Sequence, residues 1–309
     1  MNKLGLQDKM RKFWKKNGGC YLFLIPAFIG FFVFSVYPVV YSLFLSFTDS
    51  NGARFTEIGL FNYRQIFSDD LLNGWATISN SFWLTFRYAL MCIPIGLTLS
   101  FFLALLLNSA VKGIKVFRIL YYLPVLIPGL AMSIIYADMF DYPGGIINQI
   151  VVSLGGKAVP FFEDPGIIMP WYMVAGFFGL GGNMIMWLAA LANVPKQLIE
   201  AAKIDGANGI QTFFKITLPM LSPMLKIILM LAITGAFKDY ESIMVLTNGG
   251  PNNRTQVMFL YIYQLIFGKD VGTNPQIGYA TVLSLVAALI IGIVTAVYMY
   301  FARKLDEVV

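Results

Sequence analysis

The chain has no histidine, two cysteines and little charge: 12% of its 309 residues are Asp, Glu, Lys or Arg, against roughly 25% in a soluble domain. Without histidine there is no Ser-His or Cys-His nucleophile, no histidine general base and no HExxH zinc site. Cys20 and Cys92 stand far apart, in or beside apolar runs and without the CxxC spacing of a metal or redox pair. They read as small buried apolar residues. The net charge of +6 is not gathered into an RNA- or DNA-binding module, so no nucleic-acid partner is expected. What the chain has instead is apolar bulk: 58% hydrophobic residues, 16% aromatic, and a mean hydropathy of +0.72. These residues arrive in blocks longer than a core helix needs, which makes lipid the solvent for much of the surface.

Six runs of about 20 apolar residues stand out, at Tyr21 to Phe47, Phe82 to Leu107, Ile119 to Phe140, Ile168 to Ala192, Met224 to Leu246 and Tyr279 to Phe301. In hydrocarbon each must be helical, because a lone strand would leave its backbone polar groups unpaired. The predicted fold is therefore all-α, a polytopic membrane protein of six transmembrane helices. Alternate connections divide the bases unevenly. The N-terminus, the loops near 108–118 and 193–217, and the C-terminus carry fourteen Lys and Arg, while the opposite loops carry five: Arg54, Arg64, Lys157, Arg254 and Lys269. That bias places both termini in the cytoplasm. The first run is too long for a secretory h-region and lacks a small-residue exit, so it is kept as a span. Ahead of it, Leu6, Met10, Phe13 and Trp14 recur at helical spacing between lysines, so residues 1–19 are predicted as an amphipathic segment on the inner surface. Residues 20–309 form one membrane domain.

One connection differs in kind. Residues 195–219 read PKQLIEAAKIDGANGIQTFFKITLP, with Leu198, Ile199, Ala202 and Ile204 at helical spacing ahead of a glycine-bounded turn. A short amphipathic helix is expected there. Small Ala201 and Ala202 beside Glu200 would admit another protein's backbone, and Gly206 and Gly209 would release the chain into a second short helix.

The same stretch resembles the permease subunits of binding-protein-dependent ABC importers. Their signature is EAA, three residues, Gly, nine residues, Ile, one residue, Leu-Pro. Here Glu200, Ala201, Ala202, Gly206, Ile216, Leu218 and Pro219 match every fixed position. LIPAFIGFFVFSVYPVVYSLFLSFTD, FNYRQIF, RILYYLPVLIP and LTNGGPNNRTQVMFLYIYQLIF are similar to multiple-sugar and maltose-type permeases, the shorter members in particular. The resemblance implies the type I permease fold with a cytoplasmic coupling helix, in which Glu200, Ala201, Ala202, Asp205 and Gly206 couple to an ATPase. It also implies the partners: a second homologous permease, two cytoplasmic ATPases that hold the ATP and magnesium, and an extracytoplasmic binding protein that delivers a carbohydrate. The residues agree on one point independently. Neither Gly-Lys pair, at Gly156 and Gly268, has the surroundings of a GxxxxGK[ST] phosphate loop, so no ATPase site or other cofactor site is expected in this chain.

A solute pathway is sought among polar residues inside spans, where charge is costly and therefore functional. Lys238, Asp239, Tyr240 and Glu241 are the densest group. Lys238 and Glu241 are spaced to pair, leaving Asp239 to accept sugar hydroxyls and Tyr240 to stack on a sugar's apolar face. In the maltose-type pattern, polar residues a few positions before LTNGGP contribute to the sugar site; Asp239 falls there, although Ala236 departs from the pattern. Gly179, Gly181, Gly182, Asn183 and Trp187 in the fourth span either permit close helix packing or widen a cavity wall, with Asn183 as a polar contact and Trp187 as a platform. Pro94, Pro124 and Pro128 are expected to kink their helices. A glycerol-phosphate-type substrate is the alternative, disfavoured because only Arg87 and Lys238 offer cations inside spans. A CDP-alcohol phosphotransferase fails on Gly209 and Ile210, which stand where its motif needs Ala-Arg. A self-contained channel or carrier leaves the match at 195–219 unexplained.

Overall fold

The computed structural model describes residues 19, 21–52, 54–68, 75–108, 113–164, 166, 180–268 and 274–306. In chain order the helices are α1 (Tyr21–Leu45), α2 (Phe61–Gln65), α3 (Trp75–Leu107), α4 (Ile114–Leu126), α5 (Gly129–Phe140), α6 (Ile146–Ser153), α7 (Gly181–Ala192), α8 (Lys196–Ile204), α9 (Gly209–Met220), α10 (Ser222–Lys238), α11 (Glu241–Thr247), α12 (Met258–Phe267) and α13 (Ile277–Asp306). Among the described residues the only β pairing is a single bridge between Thr48 and Ile58.

Helices α1, α3 and α13 are each long and apolar enough to cross a membrane, as their sequences predict. The third and fifth expected spans are not continuous. Ile127, ahead of Pro128, is forced out of the helical region to φ −85°, ψ 133°, and α4 and α5 meet at 101°. The span that Pro124 and Pro128 were expected to kink is in fact broken, whereas α3 runs uninterrupted through Pro94. The fifth expected span is α10 followed by α11, interrupted where Asp239 turns extended at ψ 114°. The first part of the fourth expected span, residues 168–179, lies outside the described residues, as do residues 1–18 and Cys20.

Two wide turns have a common cause. The Tyr37 amide donates to the Phe32 carbonyl and the Leu218 amide to the Phe213 carbonyl, five residues back instead of four. Each stands directly before a proline, Pro38 or Pro219. Proline has no amide to give, and its ring would strike the carbonyl four residues earlier; the wider turn moves that carbonyl aside and lets the helix continue.

Packing is organised along α3. Ile78 near its start belongs to a cluster with Met258, Ile262 and Leu265 of α12 and Tyr279, Val282 and Leu283 of α13. Tyr88 near its middle packs with Ile243, Val257 and Leu260. Leu97, Ala104 and Leu107 near its end pack with Met184, Trp187 and Leu191 of α7 and Ile228 of α10. The ten-residue α12 was not foreseen. At ~1.5 Å per residue it is about half the thickness of a hydrocarbon core, and it is apolar around most of its circumference because it is buried. Its first amide, on Met258, donates at 2.9 Å to the Thr85 hydroxyl of α3, which itself donates to the Ser81 carbonyl at 2.7 Å.

The exit from α1 is tied down by polar contacts. Buried Asn62 donates to the Ser46 and Thr48 carbonyls, at 3.0 and 2.7 Å. In the loop beyond, Asp49 accepts hydrogen bonds from the Thr56 hydroxyl and from the Thr56 and Glu57 amides, which hold its carboxyl down at about 2. The start of α13 passes so close that a Cβ added at Gly278 would lie 2.0 Å from the Thr48 carbonyl oxygen, whereas one added at Gly96 meets nothing within 4 Å. Gly278→Ala is therefore expected to lower the thermal midpoint of the detergent-purified protein by roughly 5 °C. Gly96→Ala, the control, is expected to leave it unchanged or raise it by up to about 3 °C through helix propensity; equal midpoints for both variants would contradict the packing described.

Candidate functional site

The loop that carries the EAA pattern folds into an elbow. Helix α8 starts after Pro195 and is closed by Gly206 at φ +82°. The Gly206 amide donates to the Lys203 carbonyl at 3.2 Å and the Ala207 amide to the Ala202 carbonyl at 2.9 Å, the paired bonds of a Schellman stop. The next helix opens on a capping box. Asn208 Oδ1 accepts from the Gln211 amide at 2.8 Å, and Gln211 Oε1 accepts from the Asn208 amide at 2.9 Å. A single residue, Ala207, between the stop at Gly206 and the cap at Asn208 makes the elbow stiff.

Its surface is divided. Glu200, Ala201 and Asp205 are exposed. Ala202 is not: with 7% of its surface accessible it packs against its own chain, so only Ala201 of the expected pair of small residues is open to a partner. The physical reason is helical spacing, since Ile199 and Ala202 lie three residues apart on the face turned inward. Ile204 and Ile210, on either side of Gly206, are 86% and 71% exposed. Two large aliphatic side chains flanking a rigid turn and exposed beside an acidic residue form an unfilled contact surface.

The second constellation lies at the interruption of the fifth span. Because α10 stops at Lys238 and α11 starts at Glu241, the i, i+3 spacing expected to bring those two together does not apply; both are exposed and form no ion pair with each other. Asp239, half-buried, is not aimed into open space as expected. Its Oδ2 accepts a hydrogen bond from the Tyr88 hydroxyl of α3 at 2.8 Å, and its Oδ1 accepts one from the Ser242 hydroxyl at 3.2 Å. Tyr240 is half-buried with its ring 5.4 Å from that of Tyr263. Tyr88 and Ser242 were missed in the sequence. A tyrosine inside an apolar run needs a partner for its hydroxyl, and that was the available sign.

In α7, Gly181 is a packing glycine: a Cβ there would come within 2.1 Å of the Tyr121 carbonyl oxygen, so the helix touches α4 backbone to backbone. Gly182 and Asn183 are half-buried on the adjacent face, while Gly179 lies outside the described residues. Trp187 is a correction. It is 3% exposed, edge-on to Phe101 at 4.8 Å in the cluster with Met184 and Leu191, and offers no face for a solute. Spacing of i, i+3 from Gly181 through Met184 to Trp187 puts it on the buried stripe.

The turns after α5 and α11 enclose a cleft of about 420 Å³ lined by Phe140, Asp141, Tyr142, Phe162, Glu163 and Asn248, among others. Its walls are built. Buried Asn148 bonds to the Asp141 and Val159 carbonyls and to the Val159 amide, and Gln264 donates to the carbonyl and side-chain oxygens of Asn248 while accepting from Gln256.

The family model for the binding-protein-dependent transport system inner membrane component matches residues 82–307. The probable ABC transporter permease protein YesP of Bacillus subtilis is 34% identical over 94% of this chain and 92% of its own length. The multiple sugar-binding transport system permease protein MsmF of Streptococcus mutans is 29% identical over 96% and 99%, and the arabinooligosaccharides transport system permease protein AraP of Bacillus subtilis 30% over 92% and 88%. The fold matches one chain in the crystal structure of a bacterial ABC transporter involved in the import of alginate, with a TM-score of 0.82, 21% identity, and coverage of 96% of this chain and 99% of that one. A stiff exposed elbow carrying every fixed position of the EAA pattern, a helical membrane fold and a family match over most of the length lead to one conclusion. This chain belongs to the binding-protein-dependent transport system inner membrane component family, as a multi-pass permease subunit of an ABC importer in the cytoplasmic membrane, and is a transport component with no catalytic role of its own.

Proposed function

We propose that this permease forms half of a pathway for a sugar or oligosaccharide, handed over by an extracytoplasmic binding protein and moved by two cytoplasmic ATPases that bind the ATP and magnesium. The elbow at α8 carries the reading. Glu200, Ala201 and Asp205 are open to a partner, and exposed Ile204 and Ile210 are costly in water but suited to a groove on an ATPase. Both termini and this elbow lie on the cytoplasmic side, in keeping with the distribution of Lys and Arg. The membrane domain is taken as residues 20–309. A second, homologous permease completes the pathway: no residue in the apolar stretch of α1 is buried within this chain, which leaves that helix for lipid or for another apolar subunit.

The carbohydrate substrate is supported by relatives whose names carry multiple sugars and arabino-oligosaccharides. Asp239 is the first candidate to meet it, followed by Asn183, with Tyr240, Gly182 and Glu241 nearby. A carboxylate at a helix interruption is an acceptor for sugar hydroxyls, and neutral hydroxyls need no cation to bind. Arg87 and Lys238 are both exposed, and the relatives named above carry sugars and oligosaccharides in their names, not a phosphorylated polyol, so a neutral saccharide is preferred. The cleft beside Asp141 and Glu163 is where the binding protein docks.

The coupling role is tested with Gly206→Val. Space around Gly206 is open, so the variant acts only by penalising the left-handed backbone. Sugar uptake is expected to fall at least tenfold while the assembly still purifies; wild-type uptake and ATPase coupling would contradict the role. Ile204→Cys, alkylated with a thiol-reactive photo-crosslinker and illuminated, is expected to crosslink to a co-expressed ATPase, and a purified assembly in which no ATPase is ever captured there would overturn the docking surface. The site is tested with Asp239→Ala and a tritium-labelled mixture of mono-, di- and oligosaccharides supplied with the binding protein. Uptake is expected to drop about tenfold or more, the worth of hydrogen bonds to a charged acceptor. Unchanged uptake would remove Asp239 from the pathway, and a wild-type assembly that imports no saccharide from the mixture would remove carbohydrate as the substrate.

A further inference from the structure

The interruption between α10 and α11 leaves Asp239 with extended backbone and no helix to fix its side chain. Something else must orient the carboxylate if it is to meet a solute in one geometry. The contact that does so comes from a different span: the Tyr88 hydroxyl, donating to Oδ2 at 2.8 Å across 151 residues of sequence. Tyr88 is well placed for that. It lies near the middle of α3, the helix around which the three core clusters are arranged, and is 8% exposed. Its ring packs with Ile243 of α11 and with Val257 and Leu260 at and beyond the start of α12, so it is gripped by the same short helix that begins two residues after Asp239. Ring and hydroxyl thus register the position of α11 and of the carboxylate together. Ser242, on the first turn of α11, steadies the other oxygen at 3.2 Å.

We propose that Tyr88 is a positioning residue for the transport pathway: its hydroxyl presets the Asp239 carboxylate to accept sugar hydroxyls. This rests on the carbohydrate reading of Asp239. Rigid orientation of an acceptor matters because a solute hydroxyl gains little from a carboxylate that must first be ordered, and a hydrogen bond to a charged group is worth more than a neutral one. Tyr88 itself, buried in the second cluster, acts through Asp239 and does not touch the sugar.

Tyr88→Phe removes one oxygen and keeps the ring in its apolar cluster. In proteoliposomes holding the complete assembly with its binding protein, supplied with the tritium-labelled saccharide mixture, uptake by Tyr88→Phe is expected to fall about tenfold. Binding-protein-stimulated ATPase activity and the thermal midpoint are expected to stay at parental values. Adding Tyr88→Phe to Asp239→Ala is expected to cost nothing further, because both changes remove the same interaction. A merely structural role would instead lower the midpoint or multiply the two losses, and either result overturns the proposal. So does failure of Tyr88→Phe to assemble, which would assign the hydroxyl to the fold. If Asp239→Ala loses uptake and Tyr88→Phe does not, the positioning role alone falls; if Asp239→Ala is itself without effect, the underlying site assignment falls and the positioning role with it.

Discussion

Burial along α3 is the constraint on which the rest of this molecule depends. A helix in lipid gains nothing by hiding apolar side chains from hydrocarbon, so association has to come from close packing and from polar groups that find partners. α3 supplies both. It meets α12 and α13 along its first half, α11 and the start of α12 at its middle, and α7 and α10 along its last third. Between these contacts Thr85 satisfies the first amide of α12 and Tyr88 satisfies Asp239. Elements too short or too bent to sit in a membrane alone are held because this column gives them packing surfaces, with Thr85 meeting the first amide of α12, while the Tyr88 hydroxyl orients a carboxylate.

That arrangement explains where the chain tolerates breaks. Irregular backbone at membrane depth is allowed only where protein or a cavity supplies the missing contacts. The separation of α4 from α5 follows from Pro128 and its effect on Ile127. The separation of α10 from α11 has no proline; it occurs where Lys238, Asp239, Tyr240 and Glu241 interrupt an apolar run, and Asp239 and Ser242 bond to each other across it. Helices α5 and α11, the second halves of two interrupted spans, pack together, and the turns that follow them form the cleft beside Asp141 and Glu163. The interruptions therefore create two polar places, one within the fold and one at the ends of those half-helices.

The elbow at Glu200 to Pro219 was readable from the sequence almost to the residue, because its determinants are local. Gly206 is required by a left-handed stop and Asn208 and Gln211 by a capping box, and Pro219 forces the wide turn before it. Ala202 escaped that reading, since the inward face of a nine-residue helix depends on what lies beneath it. In the fourth span the same limitation was larger. Trp187 and Asn183 are equally plausible as wall residues in a list, and only the stripe formed with Gly181 and Met184 shows that the indole is turned into the core.

By itself the sequence determined the class of the molecule, its three long unbroken helices, the bend beside Pro128 and the elbow that identifies the family, since hydropathy, proline and glycine act on their immediate neighbours. Only the tertiary structure decided that the third span turns through 101°, that α12 is a buried half-length helix, and that Asp239 is held by Tyr88. Those outcomes depend on contacts between segments far apart in the chain, and the partner that satisfies a buried polar group is chosen by proximity in the fold, which no local pattern encodes.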